Sequence, residues 1–189
     1  AFTAGDSMLV FVGLPWEYNN KLYNVAAAIQ DGKLLGLVPK RWIPNYSEFY
    51  EGRYFNPGWE KTIDVSWDGY QVPMGMKLLF SCDNVENLVV GAEICEDVWV
   101  LNPPSIAHAS AGATVIVNCS ASDEVTGKSE YRRSLISGQS ARLLCAYIYA
   151  NAGEGESSQD LVFSGQNIIA ENGNILSESA RFENQTIYA

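Results

Sequence analysis

Gly91-Ala92-Glu93-Ile94-Cys95-Glu96-Asp97-Val98-Trp99 is the stretch on which the fold turns. The apolar run Leu88 to Ile94 has the length and composition of a buried strand, and it stops at a cysteine followed at once by two acids. A thiol at the end of a buried strand is placed as a nucleophile would be, although the same position also suits an inert structural thiol. The two acids argue against simple apolar burial. A second segment repeats the arrangement: the apolar run before Pro39 ends at Lys40, and an aromatic stretch from Ile43 then leads to Glu51.

Outward from these two points, strand and helix signals alternate. Met8 to Leu14 reads as a strand. Leu22 to Gln30 and Lys33 to Val38 read as a hairpin, because Asp31-Gly32 suits a tight type I′ turn. Lys40 to Pro73 reads as one long irregular loop, aromatic and punctuated by Pro44, Pro57, Gly58 and Gly69. Beyond Cys95, the sequence predicts a short helix at Ser105–Ser110, a strand at Thr114–Asn118, a helix within Gly127–Leu144 and a strand at Ala146–Ala150. Leu161–Phe163, Asn167–Ala170 and Ile175–Glu178 read as antiparallel strands, the last two turned at Asn172-Gly173. A sheet with helices on one face leaves its other face apolar. Two such layers back to back give an α-β-β-α sandwich, an α/β fold, with part of the second sheet expected to be missing here.

Composition narrows the functional classes. The chain has 189 residues, 47% hydrophobic and 18% charged, which fits one folded unit with a sizeable core. A net charge of −10 argues against nucleic acid or an anionic membrane as partner, since either needs a basic surface. Cys82, Cys95, Cys119 and Cys145 form no CxxC pair, and no run approaches the roughly 20 apolar residues of a membrane span, so a cytoplasmic location is expected. His108 is the single histidine, which leaves no basis for a histidine-rich metal site, and it reads as a packing or surface residue. The Gly153–Ser158 run has no lysine and carries two glutamates, so it is not an anion cradle. Arg132, Arg133 and Arg142 read as ion-pairing or helix-surface residues.

Amide cleavage needs a thiolate, a cation or N–H donors for the oxyanion, and a carboxylate to move the proton. Cys95, Lys40 and Glu51 are of the right types. Four segments, GLVPKRWIPNYSEFYEGRYF (Gly36–Phe55), AEICEDVWVLNPPS (Ala92–Ser105), QSARLLCAYIYANAGEGESSQD (Gln139–Asp160) and SGQNIIAENGNILSESARF (Ser164–Phe182), together resemble the glutaminase domain of glutamine-dependent NAD⁺ synthetases, a branch of the nitrilase superfamily of carbon-nitrogen hydrolases. The resemblance implies that Cys95 is the nucleophile, Lys40 the oxyanion lysine, and Glu51 a second glutamate that positions the lysine and substrate. It also places Tyr46, Glu96, Ser122 and Lys128 among the glutamine-contacting positions. Lys128 stands where some members are expected to carry arginine, and lysine cannot make the bidentate fork to a carboxylate.

The resemblance further implies L-glutamine as substrate, hydrolysed to glutamate and ammonia through a cysteine thioester. The ammonia would pass to a synthetase domain of the same polypeptide, in a homo-oligomer. No cofactor is implied for this domain, while ATP and Mg²⁺ belong to the synthetase domain. Its general-base glutamate is expected in a Pro-Glu motif well before Val12, and this sequence holds no Pro-Glu. Residues 1–189 are therefore expected to be the central and C-terminal part of an incomplete nitrilase-like domain, with little glutaminase activity by themselves. Two other readings remain open at this level: an amidase for another small amide, and a catalytically silent oligomerisation domain.

Overall fold

In the computed structural model, which describes residues 3–156 and 161–189, the two halves of the chain build two sheets. The first begins as a meander: β1 (Val10–Tyr18), β2 (Lys21–Gln30) and β3 (Lys33–Pro39) pair antiparallel. Asp31 and Gly32 turn the second hairpin with φ of 48° and 71°, the paired positive values that a type I′ turn requires. A further hairpin, β4 (Ile63–Trp67) and β5 (Tyr70–Met74), completes the order β1-β2-β3-β5-β4.

That hairpin corrects the long loop expected over Lys40–Pro73. Its turn at Asp68-Gly69 has φ of 44° and 84°, repeating the Asp31-Gly32 device. Ile63, Val65 and Trp67, then Tyr70, Val72 and Met74, do alternate with Asp64, Ser66, Gln71 and Pro73 about that turn, but the strands are only five residues long and stand in an aromatic run broken by Pro57, Gly58 and Pro73; Val65, Val72 and Met74 are their buried residues. The first strand also runs later than expected, reaching Tyr18 rather than ending at Leu14.

The second sheet has the order β11-β10-β9-β8-β7-β6. Its centre is parallel: β7 (Val89–Glu93), β8 (Val115–Ser120) and β9 (Ala146–Asn151) lie side by side, joined through the helices α1 (Pro104–Ser110) and α2 (Lys128–Leu143). β6 (Leu79–Ser81) adds antiparallel at one edge; β10 (Ile168–Glu171) and β11 (Asn174–Glu178) add antiparallel at the other, turned at Asn172-Gly173. Leu161–Phe163 is not a strand: Val162 offers its carbonyl to Glu124 N–H at 2.7 Å instead of joining a ladder. Ser157 and Ser158 of the expected loop lie outside the described residues.

The two sheets stack through Ala26 and Val38 on one side and Ala92, Ile94 and Cys95 on the other. Alanines at this interface let the layers approach closely. The helices cover the far face of the six-stranded sheet, where Ile136 of α2 packs with Ile116, Tyr147 and Ile168. His108 of α1 is a buried packing residue; its Nε2 lies 2.8 Å from the Met76 carbonyl, and burial pushes its pKa down. The five-stranded sheet curls, bringing Trp16 of β1 within 5.5 Å of Trp67 of β4, and its concave outer face forms an apolar groove of about 580 Å³. Three layers of the expected α-β-β-α order, the helices and the two sheets, are thus present among the described residues.

Candidate active site

β7 ends at Glu93, Ile94 remains extended, and at Cys95 the chain turns sharply into a 3-10 helix, Cys95–Val98. Cys95 takes φ of 43°, a left-handed conformation that costs a residue with a side chain about 1–3 kcal/mol and persists only when its surroundings impose it. Here they do. Cys95 N–H donates to Asn118 Oδ1 on β8 at 2.8 Å, while Asp97 turns back to accept Ile94 N–H at 3.0 Å.

Asp97 also reaches across to the other sheet. Its carboxylate accepts the N–H groups of Arg41 at 3.1 Å and Trp42 at 2.8 Å, tying the segment after β3 to the turn that carries Cys95. Burial, followed by the nearby Glu93, pushes Asp97 up to about 7 in spite of those donors.

Lys40 follows β3 directly and is buried at 2% exposure. A lysine loses its water only with a partner, and Nζ lies 2.5 Å from Glu51 Oε2, whose other oxygen accepts Asn24 Nδ2 at 3.2 Å. Glu51 opens a single 3-10 turn, Glu51–Arg53. Gly58 closes the backbone around the lysine, its N–H donating to Lys40 O at 2.7 Å; a Cβ there would sit 2.9 Å from the Pro39 carbonyl, so only glycine fits.

Cys95, Lys40 and Glu51 line one cleft of about 370 Å³ between the sheets. A second thiol, Cys119, lines it too, but burial pushes that thiol up to about 11 and keeps it protonated at neutral pH. The four expected substrate-contacting residues are placed differently. Tyr46 OH donates at 2.9 Å to the carboxylate of Glu96, within the Cys95 turn, and burial pushes Glu96 up. Lys128 pairs with Asp123, and its ammonium lies 5.4 Å from the ring of Phe49, which does line the cleft. Ser122 is buried behind the wall: its Oγ accepts Arg132 Nη2 at 3.3 Å, and its backbone is bound by Asn151. Arg132 is fully buried and paired with Glu124 at 3.1 Å, rather than a helix-surface residue.

Asn24, Asn118, Asp97 and Glu93 were not singled out from the sequence. A carboxylate inside an apolar strand, as at Glu93, was a usable signal, and so was the acid two residues after Cys95. Asn24 and Asn118 gave none, since their roles arise from strand register.

A model of the carbon-nitrogen hydrolase family matches residues 3–189. The chain belongs to the carbon-nitrogen hydrolase family. Within that family it is 45% identical over 174 residues to the glutamine-dependent NAD(+) synthetase of Mycobacterium tuberculosis, covering 92% of this chain and 26% of that protein. The corresponding protein of Aquifex aeolicus is 32% identical over 182 residues, covering 96% and 28%. This carbon-nitrogen hydrolase chain thus spans about a quarter of the length of the curated relatives it matches. Among solved structures, a glutamine-dependent NAD(+) synthetase from Cytophaga hutchinsonii superposes with a TM-score of 0.80 at 30% identity, over 92% of this chain and 28% of that one. An amidase from Nesterenkonia shares the nitrilase-superfamily fold, with a TM-score of 0.70 at 18% identity over 94% of this chain and 59% of that one. No helix among the described residues is long and apolar enough to cross a membrane.

Proposed function

We propose that this chain is the glutamine-hydrolysing part of a glutamine-dependent NAD⁺ synthetase, with Cys95 as nucleophile. The observation that carries the reading is one cleft holding a strained cysteine together with a buried, ion-paired lysine; the names of the similar proteins supply the substrate.

In this mechanism the Cys95 sulfur bonds to the side-chain amide carbon of L-glutamine, and the thiol proton passes to the amide nitrogen that will leave. The oxyanion is held by Lys40 Nζ and by backbone N–H of the 3-10 turn. Cys95 N–H is taken by Asn118 and Asp97 N–H by Ile94 O, so the Glu96 N–H is the donor left for that task. The C–N bond then breaks, ammonia leaves with a proton, and water cleaves the thioester to release glutamate and restore the thiol. Glu51 positions Lys40, and Tyr46 with Glu96 forms the adjoining rim. Lys128 stands over Phe49 at the edge of the cleft, and Ser122 acts through the wall, its carbonyl accepting from Asn151 Nδ2, a side chain that does line the cleft.

The ammonia is consumed by a synthetase domain of the same polypeptide in a homo-oligomer. ATP and Mg²⁺ serve that activity.

The test is intact-mass analysis after treatment with a glutamine-mimicking diazoketone. One adduct, absent in Cys95→Ala and suppressed by glutamine, is expected. An adduct that persists in Cys95→Ala overturns the assignment of the nucleophile, and equal protection by any small amide overturns glutamine as the substrate.

A further inference from the structure

Behind Cys95 runs a relay of buried side chains that the chemistry above does not use. Asn118 Oδ1 accepts Cys95 N–H at 2.8 Å, and Asn118 Nδ2 donates to the Tyr147 hydroxyl at 3.0 Å. Tyr147 donates to Glu93 Oε1 at 2.5 Å, and Glu93 Oε2 accepts the N–H of Ser105, in the first turn of α1, at 2.8 Å. Asn118, Tyr147 and Glu93 are each no more than 1% exposed.

Both ends of this relay are backbone N–H groups, which can only donate. An amide or a hydroxyl accepts on one side and donates on the other, so it passes the direction along. A carboxylate accepts on both sides and reverses it. A relay closed by two donors therefore needs one carboxylate, and Glu93 is that group. With an amide in its place one donor-to-donor junction is forced, either at Ser105 N–H or, with the relay reversed, at Cys95 N–H.

We propose that Glu93 is a positioning residue for Cys95: it fixes the direction of every hydrogen bond in the relay and so holds the Cys95 peptide in its left-handed turn. The inference deepens the assignment of Cys95 as nucleophile and rests on it.

A polarity swap tests it. Glu93→Gln leaves one donor-to-donor junction, and Asn118→Asp leaves two carboxylates competing for the single Tyr147 proton. Combined, the two substitutions move the carboxylate to the other end and close every bond again. The new amide at position 93 donates to Tyr147, Tyr147 donates to the new carboxylate at 118, and that carboxylate accepts Cys95 N–H. In the intact protein, melting temperature and the high-pH plateau of Cys95 alkylation by iodoacetamide are measured; at that plateau the thiolate is complete whatever its pKa.

Each single substitution is expected to lower the melting temperature by about 5 °C and slow alkylation about tenfold, and the double variant is expected to recover more than half of both. Additive losses, or single variants that behave as wild type, overturn the relay. If the single variants do not fold, a double variant that folds supports it and one that does not overturns it. A wild-type Cys95 that resists alkylation counts against the nucleophile alone, because thermal rescue still reports on the relay.

Discussion

On the six-stranded sheet, the thiol of the cleft is presented by strain: Cys95 sits at a positive φ, and residues from β8 and from its own turn pin its backbone. On the five-stranded sheet, the cation is presented by a local pair, Lys40 with Glu51, eleven residues apart, and Glu51 keeps 28% exposure. One side is over-determined by buried hydrogen bonds that reach across the chain. The other depends on a single ion pair with access to water. Substitutions on the lysine side should therefore reduce rate more than stability, and those on the cysteine side should reduce both.

Lys40→Met breaks the comparison most directly. With the alkyl stem preserved and Glu51 able to hydrate, the glutaminase rate of an intact synthetase carrying this chain is expected to fall about 10³-fold, as for loss of an oxyanion donor, with a melting temperature within about 3 °C of wild type. Ammonia release and calorimetry read the two effects, and a collapsed fold would mean that the pair is structural.

Asp97→Asn tests the bridge between the two sides. An amide cannot accept from all three backbone donors, so a loss of about 1–3 kcal/mol is expected. The Asp97 pKa is raised in the fold to about 7, above the roughly 3.9 of an unfolded aspartate. Its proton-linked stabilisation is thus complete below about pH 4 and is lost as pH rises through 7. The variant lacks this dependence, so the stability gap between wild type and variant should narrow from pH 5 to pH 8 in urea unfolding. A constant gap would mean that Asp97 stays ionised throughout.

The smallest effect is expected from Tyr46→Phe, which removes one exposed hydroxyl bond to Glu96. The KM for glutamine should rise about threefold with no change in melting temperature. An unchanged KM would separate this rim from the substrate.

The same contrast explains what could be read from the sequence. The strand before Cys95, the helix of Lys128–Leu143 and the turns at Asp31-Gly32 and Asn172-Gly173 were legible because each rests on local pattern. The β4–β5 hairpin was not, although its residues alternate, since its strands are five residues long, Pro73 falls inside the second, and prolines and glycines flank them. Cys95 and Lys40 stood out as ionisable residues at strand ends, whereas Glu51 was separated from Glu48 only by the family resemblance. Asn118 and Asn24 act across strands, so no local spacing announces them, whereas Asp97 is marked by its place two residues after Cys95.

The bend at Cys95 has a consequence for what counts as the functional unit. Asn118 lies 23 residues away, and the Tyr147 hydroxyl that orients the relay meets Glu93 across 54. The stretch Gly91–Trp99 therefore carries the thiol together with Glu93 and Asp97, but not Asn118 or Tyr147, on which the posture of Cys95 also depends. Transplanted into another sheet, it would carry the thiol but not the geometry, so the inheritable module is the parallel trio of strands rather than the motif.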